Sequence, residues 1–122
     1  MTQAALAIPH PELAPQTCAG AASRKLPFTA PWLLAPMEGV TEPCFRDLVL
    51  ARNPPDALGG AFTEFVRVSG ALVPHHILRR HLGSQRFAAP VGLQLMGADP
   101  ARLAATARNA VACGAPLIDL NF

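Results

Sequence analysis

The strongest constraint on this chain is a repeat in which a short apolar run is followed by a helical stretch, renewed about every 30 residues. Trp32-Leu33-Leu34-Ala35-Pro36-Met37 is short, continuous and apolar, as expected for a strand buried on both faces. Gly39 breaks it, and Thr41 is placed to cap a helix whose first turn tolerates Pro43 and gains from Glu42. Phe45, Leu48 and Val49 form the predicted inner stripe of that helix, and Asn53-Pro54-Pro55-Asp56 stops it. The second unit has a strand over Gly60–Phe65 and a broken helical stretch from about Val68 to His81, interrupted at Pro74. The third has a strand over Pro90–Gly97. Asp99-Pro100 then opens a helix with Leu103, Ala107, Ala110 and Val111 on one face and Gly114 at its end. A fourth strand opens at Pro116-Leu117-Ile118-Asp119-Leu120-Asn121.

Units of this kind specify βαβ crossovers and a parallel sheet. A doubly wound sheet and a (β/α)₈ barrel both satisfy the pattern, but no glycine-rich dinucleotide fingerprint follows the first strand. The reading is therefore α/β: the N-terminal half of a (β/α)₈ TIM barrel, truncated after about four parallel strands, since a whole barrel takes about 250 residues. Half a barrel leaves two sheet edges unpaired, so the chain alone is expected to be poorly stable, dimeric or aggregated. Residues 1–28, rich in Ala and Pro without periodicity, read as a flexible leader, and 29–122 as a partial TIM-barrel catalytic domain.

The composition, 51% hydrophobic and 15% charged, suits a buried sheet and excludes a disordered polymer. A net charge of +2 does not announce a nucleic-acid binder. The distribution says more, because no acidic residue stands between Glu64 and Asp99, a stretch holding Arg67, Arg79, Arg80, Arg86, His75, His76 and His81. Such a run either attracts phosphates or forms an ordinary solvated helix face, and both readings stay open. His75 and His76 stand four residues before Arg79 and Arg80, so each pair can share a helical face. Cys18, Cys44 and Cys113 show neither zinc nor disulfide spacing and are read as reduced thiols, with Cys44 and Cys113 buried in helices. No metal, membrane span or signal peptide is expected, and the predicted compartment is cytoplasmic.

In a parallel barrel the chemistry lies at the carboxyl ends of the strands. The polar residues there are Glu38, Thr63, Glu64, Gln94, Asp119 and Asn121, accompanied by Pro36, Met37 and Met96. Gln94 interrupts an apolar strand with an amide suited to the edge of a flat heteroaromatic ring such as a flavin. The alternative is a core glutamine satisfied by neighbouring backbone. Ala35-Pro36-Met37 would offer such a ring backbone groups and a polarizable thioether.

Leu33-Leu34-Ala35-Pro36-Met37-Glu38-Gly39-Val40-Thr41, Phe45-Arg46 and Thr63-Glu64-Phe65-Val66-Arg67-Val68 resemble the tRNA-dihydrouridine synthases. So do Val91-Gly92-Leu93-Gln94-Leu95-Met96-Gly97-Ala98-Asp99-Pro100 and Ile118-Asp119-Leu120-Asn121-Phe122, and the Thr63–Val68 segment is most similar to the bacterial C-type branch, which acts on uridine 16 of the D-loop. The resemblance implies a barrel holding FMN, NADPH as reductant, tRNA as partner and a monomeric full-length protein. It places Pro36, Met37, Glu38 and Gln94 at FMN, Asn121 beside the target uracil and flavin, and Arg67 at the tRNA. It also implies a catalytic acid, the cysteine of an Asn-x-Gly-Cys-Pro run, which falls beyond Phe122; the fragment is expected to be inactive and to retain little FMN. An FMN barrel acting on a small molecule, of the dihydroorotate or dihydropyrimidine dehydrogenase kind, is the alternative enzyme. A half-barrel remnant or assembly subunit is the alternative outside catalysis.

Overall fold

The computed structural model describes residues 25–122; most of the expected leader, with Cys18, lies outside them. The elements run β1 (Leu33–Leu34), α1 (Pro43–Arg52), β2 (Gly60–Phe62), β3 (Val66–Arg67), α2 (His75–Leu82), β4 (Val91–Met96), α3 (Pro100–Ala112) and β5 (Ile118–Asn121). Every pairing is parallel: β1 with β2, both β2 and β3 with β4, and β4 with β5. Because β2 and β3 lie along successive stretches of β4, they form one interrupted barrel strand. The four strand lines therefore stand side by side in chain order, without the reversal that defines a doubly wound sheet. The fold is a partial (β/α)₈ barrel. Among the described residues β1 pairs only with β2 and β5 only with β4, leaving both outer edges open.

The interruption corrects the predicted continuous strand over Gly60–Phe65. Phe62 stands opposite Gly92 and Val66 opposite Leu95, so four residues on one strand span three on the other. One extra residue is thus inserted, as in a β-bulge. Thr63 makes this possible: its N–H donates to the Gly92 carbonyl at 3.0 Å, while its own Oγ1 accepts from the Gln94 N–H at 3.1 Å. A side-chain oxygen there replaces the carbonyl that a regular ladder would supply.

Alternation along β4 divides the sheet into two faces. Leu93 and Leu95 pack with Val66, Val68, Leu78, Leu82 and Ala110 on the helix side, and Val91 joins Leu50, Ala61 and Ala89 in a second cluster. Gly92, Gln94 and Met96 take the opposite face, which would be the inside of the barrel. Phe62 lies there too, its ring occupying the space a Gly92 Cβ would need, and Phe28 meets it edge-on with centroids 5.7 Å apart.

The ends of α3 and the stop of α1 at Arg52 follow the sequence, whereas the buried face of α1 and the start of α2 depart from it. Asp99 caps α3 as predicted, accepting from the N–H groups of Ala101 at 2.9 Å and Arg102 at 3.2 Å. Gly114, at φ +100°, closes it in a Schellman arrangement: Ala115 N–H reaches the Ala110 carbonyl and Gly114 N–H the Val111 carbonyl. Val111 itself is exposed rather than part of the inner face. In α1 the predicted stripe is rotated, since Arg46 and Leu50 are buried while Leu48 is exposed. Pro74 begins α2 instead of interrupting a longer helix, because its fixed φ suits a helix start and residues 68–74 are not helical. Trp32 is exposed and β1 only half-buried, correcting the expectation of burial on both faces; a strand with one neighbour has one covered edge.

Candidate active site at the carboxyl ends of the strands

The parallel register builds the site in layers on the face turned away from the helices. Arg67 stands opposite Met96, and Met96 opposite Asn121, so three neighbouring strands bring these side chains to one level. One step below, Gln94 stands opposite Asp119. Gln94 is 6% exposed and its amide is engaged on both sides. Its Nε2 donates to Asp119 Oδ2 at 2.7 Å, and its Oε1 accepts from Asn121 Nδ2 at 3.3 Å. The sequence placed Gln94 and Asn121 at a common site, and they are in contact. Asp119, noted only as a strand-end polar residue, is the partner that joins them; no periodicity or spacing signals a hydrogen bond across two strands.

Pro36, Met37 and Glu38 lie at the same end of the sheet, beyond the intervening strand, where β1 turns toward α1. Pro36 is half-buried, whereas Met37 and Glu38 are exposed. Thr41, wholly buried, organises this turn rather than capping α1. Its hydroxyl accepts from Met37 N–H at 2.9 Å and donates to the Met37 carbonyl at 3.0 Å; that carbonyl also receives the N–H groups of Val40 and Thr41. The expected free backbone at Met37 is thus committed internally, which leaves the thioether as the group Met37 presents.

Arg46, quoted in the sequence only as part of a motif, secures the same turn. The residue is 1% exposed, and its guanidinium donates to the carbonyls of Thr41, His81 and Leu82, tying the β1–α1 turn to the last residues of α2. Burial pulls its pKa below the ordinary guanidinium value, opposed by Asp47 and Glu64. The residue was missed because a helical stripe is read as apolar; the signal available was its i, i+4 spacing to Leu50.

Arg46 borders a cavity of about 340 Å³ that also takes in Cys44, Glu64, Arg80 and His81. Burial lowers the pKa of His81, with Arg80 and then Arg46 adding to the effect and Glu64 opposing it. Cys44 is exposed at the start of α1, contrary to the expected buried packing, while Cys113 is half-buried. The acid-free stretch is less basic in space than in sequence, because Asp47 pairs with Arg86 at 3.3 Å and Glu42 and Glu64 line the same cavity as Arg80. Arg67 remains exposed, its guanidinium 5.4 Å from the Phe65 ring centroid. His75, His76, Arg79 and Arg80 are exposed on α2. Among the described residues there is no group of three metal-ligating side chains and no helix long and apolar enough to cross a membrane.

Residues 33–122, which contain every element of this arrangement, match the family described as Dihydrouridine synthase (Dus). The chain belongs to the dihydrouridine synthase family. It is 41% identical over 95 residues to the tRNA-dihydrouridine(16) synthase of Pseudomonas syringae pv. tomato, covering 73% of this chain and 29% of that protein. It is 43% identical over 95 residues to the protein of that name from Azotobacter vinelandii, covering 73% and 30%. With the Aquipseudomonas alcaligenes protein, also so named, it shares 45% over 98 residues, covering 73% and 29%. The chain thus spans about 30% of the length of these dihydrouridine synthases.

Proposed function

We propose that this chain is part of an FMN-dependent tRNA-dihydrouridine synthase that reduces uridine to 5,6-dihydrouridine at position 16 of the D-loop, with NADPH as reductant, in the cytoplasm. The observation that carries the reading is the layered polar set, with Arg67, Met96 and Asn121 above Gln94 and Asp119, on the inner face of a parallel sheet. The names of the relatives support the substrate and the position.

The side chains suit a flat heteroaromatic ring. Gln94 retains one amide hydrogen after bonding Asp119, Asn121 retains its carbonyl oxygen, and Met37 offers an exposed thioether. In this reading Pro36, Met37, Glu38 and Gln94 hold FMN, and Arg67 and Asn121 meet the tRNA. The chemistry FMN supplies when bound is hydride transfer. The chain's own residues bind and orient: Gln94 fixes the ring edge, Asn121 holds the neighbouring base, and Arg67 draws in the polyanion. The base must leave its stack to reach this layer, which an unpaired loop position makes easier. No Asn-x-Gly-Cys-Pro run occurs in these 122 residues, and neither Cys44 nor Cys113 belongs to the polar layers. We therefore assign binding and orientation to this segment, and no turnover to it alone.

The test uses a complete protein containing this segment, with FMN, NADPH and unmodified tRNA. Loss of uridine at position 16 is expected, and Arg67→Ala should weaken tRNA binding and reduce the salt slope by about one. Reduction of a free pyrimidine without salt-dependent tRNA binding would instead establish the small-molecule oxidoreductase.

A further inference from the structure

The contact between Gln94 and Asp119 has only one chemically sensible polarity. A carboxylate at neutral pH carries no donor, so the group facing it at 2.7 Å must be the Gln94 NH₂. That choice places Gln94 Oε1 on the side of Asn121, which must in turn offer its NH₂ across the 3.3 Å contact. The Asn121 carbonyl oxygen is then turned away from Gln94, and it has no hydrogen-bond partner among the described residues. Two amides, each able to flip end for end when isolated, are set by one charge.

We infer that Asp119 is a positioning residue that fixes the polarity of both amides, so that Asn121 presents a hydrogen-bond acceptor to the bound ring or base. Its relevance to the reaction rests on the function proposed above, but the orientation itself is a property of this chain without ligand. The register supports it. Gln94 and Asp119 are directly opposed on adjacent parallel strands, and Asn121 is the next residue on the same face of β5. The three therefore meet without any loop having to close. The substantial burial of Gln94 makes a well-matched partner worth more than it would be in water.

The experiment follows the side-chain ¹⁵NH₂ signals of Gln94 and Asn121 in a complete protein containing this segment, without flavin. Asp119→Leu removes the acceptor, and Asp119→Asn keeps the shape while making both polarities available. In the wild type, one Gln94 proton should exchange slowly with solvent; in Asp119→Leu its exchange should accelerate about tenfold or more, with the Asn121 signals moving at the same time. Asp119→Asn, the variant whose volume guards against misfolding, should show averaged or doubled signals for both amides. Unchanged Gln94 and Asn121 signals in Asp119→Asn would overturn the proposal. Lumiflavin, the ring without its phosphate tail, forms a separate arm. If it fails to perturb either amide in the wild type, the flavin reading of the site fails, while the variants still decide the role of Asp119.

Discussion

Replacing Arg46 by methionine tests how much of this fold hangs on one buried charge. The guanidinium supplies donors to three carbonyls, those of Thr41, His81 and Leu82, and among the described residues no other side chain donates to the first two. Methionine fills much of the same volume but leaves those two oxygens without a side-chain donor. Leaving a buried polar group unsatisfied costs about 1–3 kcal/mol. Relief of the desolvation that Arg46 itself suffers offsets part of that loss. The partners are backbone and cannot be replaced by apolar groups, so the offset stays incomplete and a net loss of about 3 kcal/mol is expected. Against total stabilities of about 5–15 kcal/mol for small domains, that is a large fraction. Urea unfolding of a complete protein containing this segment, followed by far-UV circular dichroism, reads the loss as a lower midpoint at unchanged slope. Arg52→Met, exposed at the end of the same helix, is the control and should stay within about 0.5 kcal/mol of the parent. If Arg46→Met also falls within that range, the tie between the β1–α1 turn and α2 contributes nothing, and the reasoning is wrong.

Three further substitutions probe other parts of the fold. Asp99→Ala removes both cap acceptances at the start of α3 and should cost about 1 kcal/mol in the same urea assay, with Asp99→Asn recovering most of it. A Cβ at Gly97 would stand 2.7 Å from the Val68 carbonyl oxygen, so Gly97→Ala should destabilise by about 1–3 kcal/mol; a neutral result would mean that the bulged strand yields easily. His81 has a folded pKa below its unfolded one, so the unfolded state binds more protons and stability rises with pH. Its contribution is present above the unfolded value of about 6.5 and is lost as pH falls through the lower folded value. His81→Gln should flatten that part of the stability curve, and an unaltered curve would exclude His81 as its source.

The parts of the fold readable from the sequence are those written in local chemistry. Asp99-Pro100 and Gly114 state where α3 starts and stops, because caps act through residues two or three positions away. The prolines after Arg52 do the same for α1. Gln94 was conspicuous because an amide in an apolar strand needs a partner. What the sequence withheld depends on register and tertiary contact. Nothing between Phe62 and Val66 announces an extra residue, since the accommodating group is a threonine hydroxyl aimed at another strand. Arg46 enters the sequence only as part of a motif, because the carbonyls that give it a role belong to the β1–α1 turn and to α2, and Thr41 reads as a helix cap although its hydroxyl bonds the turn behind it. Asp119 is visible as a strand-end carboxylate, but its meaning depends on which residue stands across from it.

The inserted residue between β2 and β3 has an effect on side-chain parity. Upstream of it the odd-numbered Ala61 faces the helices, and downstream the even-numbered Val66 and Val68 do. An uninterrupted strand would have kept odd residues on the helix side and driven the charge of Arg67 into the apolar layer beneath α2. With the count advanced by one, two valines complete that layer and the guanidinium emerges beside Met96 and Asn121. The Thr63–Phe65 segment therefore carries one residue more than the strand it faces, and pairing all of its residues in an unbroken ladder would exchange what the mouth of the barrel displays for what its wall conceals.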